Sequence, residues 1–246
     1  MLLIPVQPPT DPETAEATPA PIGEAVGEST ALTPAQPASP TEGMPEWFDT
    51  IEIAEPVTLG GIGADLLIHA PPRYGRSWLR YYVGLAITAL TSSGFHMMLA
   101  YRIGAWFHRL RLRPLCLLVE KFIFHWYYCV IPCSARIGPG LWVPHPLGIV
   151  LNSRARLGAG VYLRQHAEVV HIWEDDMDRS GLVGDRAQLS SGCILLRGAV
   201  VGHDCIVAAR AVVTKPIPPK HLAIGMPAKA SPLTEDKLPD RAPRWQ

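Results

Sequence analysis

This 246-residue chain contains nine histidines, a residue type whose side chain can take a proton from a substrate. His145 lies between Pro144 and Pro146, and an imidazole with an ordinary pKa of about 6.5 can act as a general base near neutral pH. Alternation along an extended segment turns His145 to the same side as Val143, which we predict to face the interior. Histidine seldom fills a packed β core, so we expect a site near a subunit junction. The alternative is a corner histidine that bonds to a backbone carbonyl.

The cysteines indicate neither a zinc ribbon nor a disulfide framework. Their number is odd and none form a CxxC pair, which favours a reducing compartment. The N-terminal sequence MLLIPVQPPT has no basic residue before its short apolar run, so we predict no secretory signal. These features favour a cytoplasmic location, with membrane association as an alternative. The five cysteines are Cys116, Cys129, Cys133, Cys193 and Cys205.

Charge is balanced over the whole chain but divided along it. Lys and Arg number 22, as do Asp and Glu, yet residues 1–56 hold ten of the acidic residues and none of the basic ones. The other 190 residues therefore carry 22 basic and 12 acidic side chains, a net charge of +10. A total net charge of zero argues against a nucleic-acid partner bound through phosphate neutralisation.

Composition divides the chain into four segments. Residues 1–56 hold eleven of the 25 prolines, so we predict a disordered acidic tail, with MPEWFDTIEI (44–53) as an apolar exception that could dock. Residues 57–133 form an apolar region that we predict to be helical, residues 134–230 form a repeat domain, and residues 231–246 form a C-terminal tail.

The apolar region contains a long stretch without charge. Residues 83–100 carry no charged side chain over 18 positions, which predicts a buried or interfacial helix rather than a membrane span. Residues 97–110 have apolar side chains at helical spacing, and Pro114 predicts a break after them. Residues 117–131, rich in aromatic side chains, form a second candidate helix.

Three arginines lie between these candidate helices: Arg109, Arg111 and Arg113. Basic residues beside exposed aromatic side chains suit an anionic membrane surface. The alternative, which we favour slightly, is a helical subdomain that packs into an oligomer.

Apolar residues recur at every sixth position of the repeat domain, in two blocks. Six is even, so the spacing fits strands with a period of two and not a helix with 3.6 residues per turn. Such a repeat predicts a solenoid of short parallel strands, with a large residue inside and a small residue four positions later at a corner. The large positions are Ile137, Val143, Ile149, Ala155, Val161 and Ala167, then Val183, Leu189, Leu195, Val201, Val207 and Val213.

The hexads occur together with three longer phrases. These are GFHMMLAYRIGAWFHRL (94–110), RIGPGLWVPHPLGIV (136–150) and AVVTKPIPPKHLAIGMPAKA (211–230). Over about residues 94–230 the chain resembles the hexapeptide-repeat acyltransferases, above all the serine acetyltransferase-like branch with its polysaccharide-acetylating relatives. The resemblance implies a left-handed parallel β-helix, although crossovers between parallel strands are generally right-handed. It also implies a homotrimer, which in some members pairs into a dimer of trimers.

The resemblance implies that His145 is the catalytic base. It also shows losses, because the aspartates that the family places fifteen residues before this histidine and directly before it are Val130 and Pro144 here. The family's second histidine is Ser180, whereas Arg179 is retained, and both are expected to contact the acceptor. Asp178 lies in the same loop, 172–182, where its carboxylate could replace a lost one; the alternative is a solvated charge cluster.

The resemblance places coenzyme A along the repeat. Three hexads make one coil, so Ser191 and Ala209, 18 residues apart, are expected to stack on neighbouring coils with strands ~4.8 Å apart. They match family positions whose backbone contacts coenzyme A. Lys215, Lys220 and Lys229 could meet its phosphates, and Pro227 belongs to the turn expected on the adenine side.

We therefore predict an O-acetyltransferase that uses acetyl-CoA, needs no metal and acts on a sugar of a surface polysaccharide or glycolipid. The sugar follows from the lost carboxylates, which would bind an amino-acid ammonium group. The alternative is serine acetylation for cysteine biosynthesis. Two lesser alternatives are a non-catalytic scaffold and a zinc enzyme like the hexapeptide-fold carbonic anhydrases, which His166 and His171 suggest by their spacing. The zinc reading is weakened because His145 and His166, 21 residues apart, do not fit 18-residue coils.

Overall fold

A computed structural model of the chain describes residues 46–70, 77–170, 181–196, 199–234 and 236. All of them belong to one compact unit, Ser39–Gln246. The predictions for the tail before residue 46, for the loop residues 171–180 and for most of the C-terminal tail lie outside the described residues.

In the described part of the chain, four helices precede the repeat: α1 (Ile62–His69), α2 (Trp78–Thr91), α3 (Ser93–Arg109) and α4 (Arg113–Tyr127). Short 3-10 turns occur at Glu46–Thr50 and Leu59–Gly61. The prediction of one helix over 83–100 is wrong, because the chain breaks at Ser92. The hydroxyl of Ser92 accepts a hydrogen bond from the Phe95 N–H and so caps α3.

No single helix in the described ranges is long and apolar enough to cross a membrane. Helices α2 and α3 reach the required length and hydropathy only as a pair, and the pair is bent by 71°. The break predicted from Pro114 is confirmed, since α3 ends at Arg109 and α4 starts at Arg113. Pro114 occupies the first turn of α4, where a missing N–H costs no helical hydrogen bond.

The repeat domain is a left-handed parallel β-helix, as the resemblance implied. Its strands form three parallel sheets, in the orders β1-β3-β6-β9, β2-β5-β8-β11 and β4-β7-β10-β12, and β13 adds antiparallel to β12. Their bounds are β1 Arg136–Ile137, β2 Val150–Leu151, β3 Arg156–Leu157, β4 Tyr162–Leu163, β5 Glu168–Val169, β6 Leu182–Val183, β7 Gln188–Leu189, β8 Ile194–Leu195, β9 Val200–Val201, β10 Ile206–Val207, β11 Val212–Val213, β12 His221–Gly225 and β13 Ala228–Pro232.

The second residue of each two-residue strand points into the β-helix and is at most 1% exposed. The twelve apolar positions predicted from the hexads are buried to the same extent, so the predicted interior is confirmed. The predicted columns are partly wrong, however. Ile137 pairs with Leu157 rather than with Ala155. The error left burial unaffected because residues two apart on a strand face the same side.

A buried ion pair joins the helices to the first coil. Arg102 of α3 and Asp65 of α1 are both 0% exposed, and Nε of Arg102 lies 2.7 Å from Oδ2 of Asp65. The guanidinium also donates to the carbonyl oxygens of Val57, Ile137 and Gly138 at 2.7–2.8 Å. All of its donor groups face acceptors, which is what a charge in a dry interior requires.

Segment 44–53 contacts the β-helix through Glu52, near the C-terminal end of the segment. The backbone carbonyl of Glu52 accepts a hydrogen bond from the Asp185 N–H, and the carboxylate of Glu52 forms an ion pair with Arg186. Further on, the N–H of Ala54 donates to the Asp185 carboxylate, and Glu55 contacts Arg156. Residues 52–55 therefore lie along the outside of the coils.

Candidate active site at a corner of the β-helix

The corner that carries His145 is two residues longer than the corners stacked beside it. Trp142 bridges to Tyr162, and Val150 pairs with Glu168. Eight positions thus separate the strand positions 142 and 150, whereas six separate their partners 162 and 168. The assumption of uniform 18-residue coils is wrong here, since this coil has 20.

The extra residues place His145 outside the β-helix. Val143 is 0% exposed as predicted, but His145 is exposed, so the prediction that alternation turns it inward is wrong. The chain bends instead, and the N–H of Leu147 donates to the His145 carbonyl at 2.9 Å. The imidazole makes no hydrogen bond to any residue that the structure describes. It is free to meet a substrate or a second subunit.

A buried histidine supports the start of this corner. His69 of α1 accepts the Val143 N–H at Nε2 (3.2 Å) when its other nitrogen, Nδ1, donates to the Asp65 carbonyl (2.7 Å). Burial lowers the pKa of His69, and its two backbone hydrogen bonds oppose this only in part. The neutral ring is the form that can accept from Val143. The helices therefore hold the strand position two residues before His145.

His166 lies at the same corner on the next coil. Its N–H donates to the Leu147 carbonyl at 2.9 Å, and its ring packs against Gly148, where any Cβ would collide with it. The coil-spacing argument against pairing His145 with His166 therefore fails. His171 lies outside the described residues. Among those described, no group of three or more His, Cys, Asp or Glu side chains could hold a metal ion.

At the two positions where the family has aspartates, this chain has Val130 and Pro144, so neither position supplies a carboxylate. Val130 is 42% exposed and bridges to Val150. It lines an apolar cavity of about 330 Å³ between α4 and the first coil. Asp178, Arg179 and Ser180 belong to the loop outside the described residues, so their predicted contacts with an acceptor stay predictions.

Sequence reasoning missed two polar residues on the neighbouring coil. Glu168 pairs with Val150, the strand residue that follows the His145 corner, and its side chain points outward. Gln165 lies at the corner itself, and its buried Oε1 has no hydrogen-bond partner in the described part of the chain.

The predicted coenzyme A residues Ser191 and Ala209 stack in the same column of corners. Gly192 N–H donates to Gln165 O, and Arg210 N–H donates to Ser191 O, so the carbonyls link successive coils. The N–H groups of Ser191 and Ala209 find no acceptor among the described residues. They are available to an extended amide chain laid along the column.

The remaining predicted residues lie at the C-terminal end of the β-helix. Lys215 and Lys229 are exposed, and Lys220 is half-buried. Pro227 is exposed in the turn of the β12–β13 hairpin and follows Met226 through a cis peptide bond. This end of the fold thus presents positive charge beyond the column of free N–H groups.

Comparisons with known proteins agree with this fold. No family model matches the chain. A Schizosaccharomyces pombe relative, provisionally named a serine acetyltransferase, is 32% identical over 140 residues, which cover 57% of this chain and 52% of the relative. The Escherichia coli serine acetyltransferase is 29% identical over 136 residues, covering 55% and 50%. The chain spans about half the length of these curated relatives.

Solved structures match a larger share of this chain. A soybean serine acetyltransferase in complex with serine is 27% identical, with a TM-score of 0.61, and the match covers 70% of this chain and 68% of that one. A serine acetyltransferase in complex with CoA is 23% identical, with a TM-score of 0.60 over 70% and 68% of the two chains. The resemblance to hexapeptide-repeat acyltransferases of the serine acetyltransferase-like branch is therefore confirmed.

Proposed function

We propose that this chain is an acetyl-CoA-dependent O-acetyltransferase with His145 as its general base. The observation that carries the proposal is the extended corner, which exposes the His145 imidazole. In the same column of corners, the N–H groups of Ser191 and Ala209 find no acceptor among the described residues. Similarity to acetyltransferases in sequence and fold supports the same reaction.

The chain's own groups supply the proton transfers. Acetyl-CoA supplies the acetyl group as a thioester. His145 would accept the proton of an acceptor hydroxyl while that oxygen forms an ester bond with the acetyl carbonyl carbon. The carbon–sulfur bond breaks, and His145 returns the proton to the departing thiolate. The products are an O-acetyl ester and a free thiol, and the imidazole is regenerated.

The N–H column suits the donor molecule. The pantetheine part of coenzyme A is an extended chain with two amides, whose carbonyls can accept from Ser191 and Ala209. Lys215, Lys220 and Lys229 lie where the chain ends and could bind phosphate groups. These assignments are part of the proposal.

L-serine is the acceptor that we propose. The relatives named above are serine acetyltransferases, and the soybean structure contains serine, which favours the serine alternative over the sugar predicted from the sequence. A sugar hydroxyl is the second candidate. The observation that favours it is Pro144, directly before His145, where the family has a carboxylate that helps to bind the substrate amine.

A homotrimer would complete the site. His145 is exposed on a single chain, and one sheet carries a half-buried column of outward side chains. Val150, Ile194 and Val212 of this column are apolar, and Glu168 lies between Val150 and Ile194. A second β-helix packed on such a face would enclose the corner. Pairing of two trimers and the cytoplasmic location both stay predictions.

Release of free thiol from acetyl-CoA tests the proposal. The purified chain is expected to release thiol with L-serine at a rate that sugars and nucleotide sugars leave unchanged. His145→Ala is expected to lower turnover ~10²–10⁴-fold, as for loss of a general base. The exposed His125 on α4 offers a matched control, and His125→Ala should retain the rate.

Each other outcome has a definite meaning. Turnover with sugars alone would replace the acceptor while keeping the reaction. An unchanged rate in His145→Ala would remove this residue from the mechanism. If the folded chain releases no thiol with L-serine or with a sugar, the result would favour a non-catalytic scaffold.

A further inference from the structure

The turn between α3 and α4 gathers positive charge around one cavity. The cavity has a volume of about 460 Å³ and is lined by His108, Arg109, Arg111, Arg113 and Cys116. None of these lining residues is acidic. Like charges this close repel one another, and a bound anion would remove that repulsion. The cavity is therefore suited to a negatively charged group such as a phosphate.

Apolar side chains surround the same turn. Trp106, Leu110, Leu112 and Leu115 are 37–49% exposed, and the leucines alternate with the arginines in RLRLRPL (109–115). On the next turn of α4, Leu117 and Leu118 are 59% and 66% exposed. We call residues 106–118 the α3–α4 tip. It combines charge with apolar surface that no described residue covers.

Negative charge is scarce across the helices that carry this tip. Between residues 77 and 130 the sequence has one acidic residue, Glu120, whose carboxylate accepts the Cys133 N–H. The basic side chains of this range other than the buried Arg102 are exposed, and they include Arg80 and Lys121 besides the three arginines of the tip. The surface of these helices is therefore predominantly basic.

We propose that the α3–α4 tip docks on an anionic lipid surface. A headgroup phosphate would occupy the basic cavity, and the leucines and Trp106 would enter the interfacial layer beside it. A free phosphate would satisfy the arginines but leave the leucines in water. A second copy of the tip would bring the same positive charges together. The proposal concerns a surface away from His145, so it stands or falls independently of the proposed reaction.

Vesicle co-sedimentation with the full chain tests this docking. Binding is expected on vesicles of equal parts phosphatidylcholine and phosphatidylglycerol, and little on phosphatidylcholine alone. Replacing Arg109, Arg111 and Arg113 together by Ser should lower the partition coefficient roughly 100-fold, at about fivefold for each charge near an anionic surface. A matched triple, Arg136→Ser with Arg154→Ser and Arg164→Ser, removes three charges from the β-helix and should bind as the parent chain does.

A leucine variant distinguishes a lipid surface from a simple anion site. Leu110→Ser with Leu112→Ser keeps every charge and should still weaken vesicle binding at least tenfold. Equal binding by both arginine triples would overturn the proposal. Undiminished binding by the leucine variant, with competition by glycerol phosphate, would make the cavity a soluble-anion site instead. A smaller oligomer in the Arg109, Arg111 and Arg113 variant, measured by sedimentation velocity, would make the tip a contact between copies and would also overturn it.

Discussion

The β-helix buries its apolar side chains within itself, whereas the helical region leaves several large apolar side chains exposed. Inside the β-helix each coil covers the next, and the inward residues of the short strands are at most 1% exposed. On the helices, Trp78, Leu90 and Trp126 are 69%, 77% and 72% exposed. A repeat supplies its own neighbours, whereas these helices leave apolar surface for something outside the described chain.

The two regions are nevertheless joined by polar groups in the interior. Asp65 accepts N–H groups of Gly140 and Leu141 in addition to the Arg102 guanidinium. His69 adds the bond to Val143. The first coil is thus positioned by α1 and α3, and the corner with His145 follows directly from it.

Breaking this junction should have the largest effect. Arg102→Met leaves the Asp65 carboxylate buried without its partner, and removing one member of a buried pair costs about 3–5 kcal/mol. Urea unfolding of the purified chain measures this loss. Arg136→Met removes an exposed arginine from β1 and serves as the control, with a change of at most about 0.5 kcal/mol. Equal effects of the two substitutions would show that the buried pair does not join the regions.

One pair of leucines compares the two regions directly. Leu163→Ala empties a position that is 0% exposed inside the β-helix and should lower the free energy of unfolding by about 2–5 kcal/mol. Leu118→Ala on α4 changes a side chain that is 66% exposed and should stay within about 0.5 kcal/mol. A large loss for Leu118→Ala in the isolated chain would mean that the helical surface is already covered.

The pH dependence of stability should report the contact between His69 and Val143. Because the folded pKa of His69 lies below its ordinary value, the unfolded chain binds a proton first as the pH falls. Its contribution is complete above about pH 6.5 and is lost as the pH falls from there toward the folded pKa. His69→Gln keeps a donor and an acceptor but cannot titrate, so it should flatten this part of the unfolding profile. The same slope in both proteins would assign it to other groups.

The smallest effect is expected at the surface of the coils. Arg156 contacts Glu55 at 3.2 Å, but the Glu55 side chain is 86% exposed. Glu55→Gln should therefore change the free energy of unfolding by about 0–1 kcal/mol, and less at high salt. A loss above about 2 kcal/mol would show that segment 52–55 depends on this pair.

The interior of the fold could be read from the sequence, and the corner that carries the candidate base could not. The twelve positions named by the period of six are all buried. In the first block the inward strand residues Leu151, Leu157, Leu163 and Val169 lie two residues after those positions, and residues two apart on a strand face the same side. Because a shift of two residues leaves the pattern of buried residues unchanged, that pattern gave no sign of the two extra residues between Trp142 and Val150. His145 was therefore expected inside, and Glu168 and Gln165 were overlooked although they lie on the neighbouring coil.

Local sequence patterns also predicted the helices better than the break between α2 and α3 or the contacts between the helices and the first coil. Helical spacing and Pro114 located α3 and α4. The break at Ser92 was missed, although Thr91, Ser93 and Gly94 around it are weak helix formers. The partners of Arg102 lie in α1, before it and in the first coil, and no local pattern links such distant segments.

The sequence by itself determined the repeat and the inward residues, because both depend on residue type and short-range spacing. The choice of His145 as candidate base came from the resemblance to a family. Only the tertiary structure decided which residues face one another across coils and that the imidazole is exposed. Those features depend on how many residues each coil contains, and a strand register is fixed by hydrogen bonds to other coils rather than by the strand's own side chains.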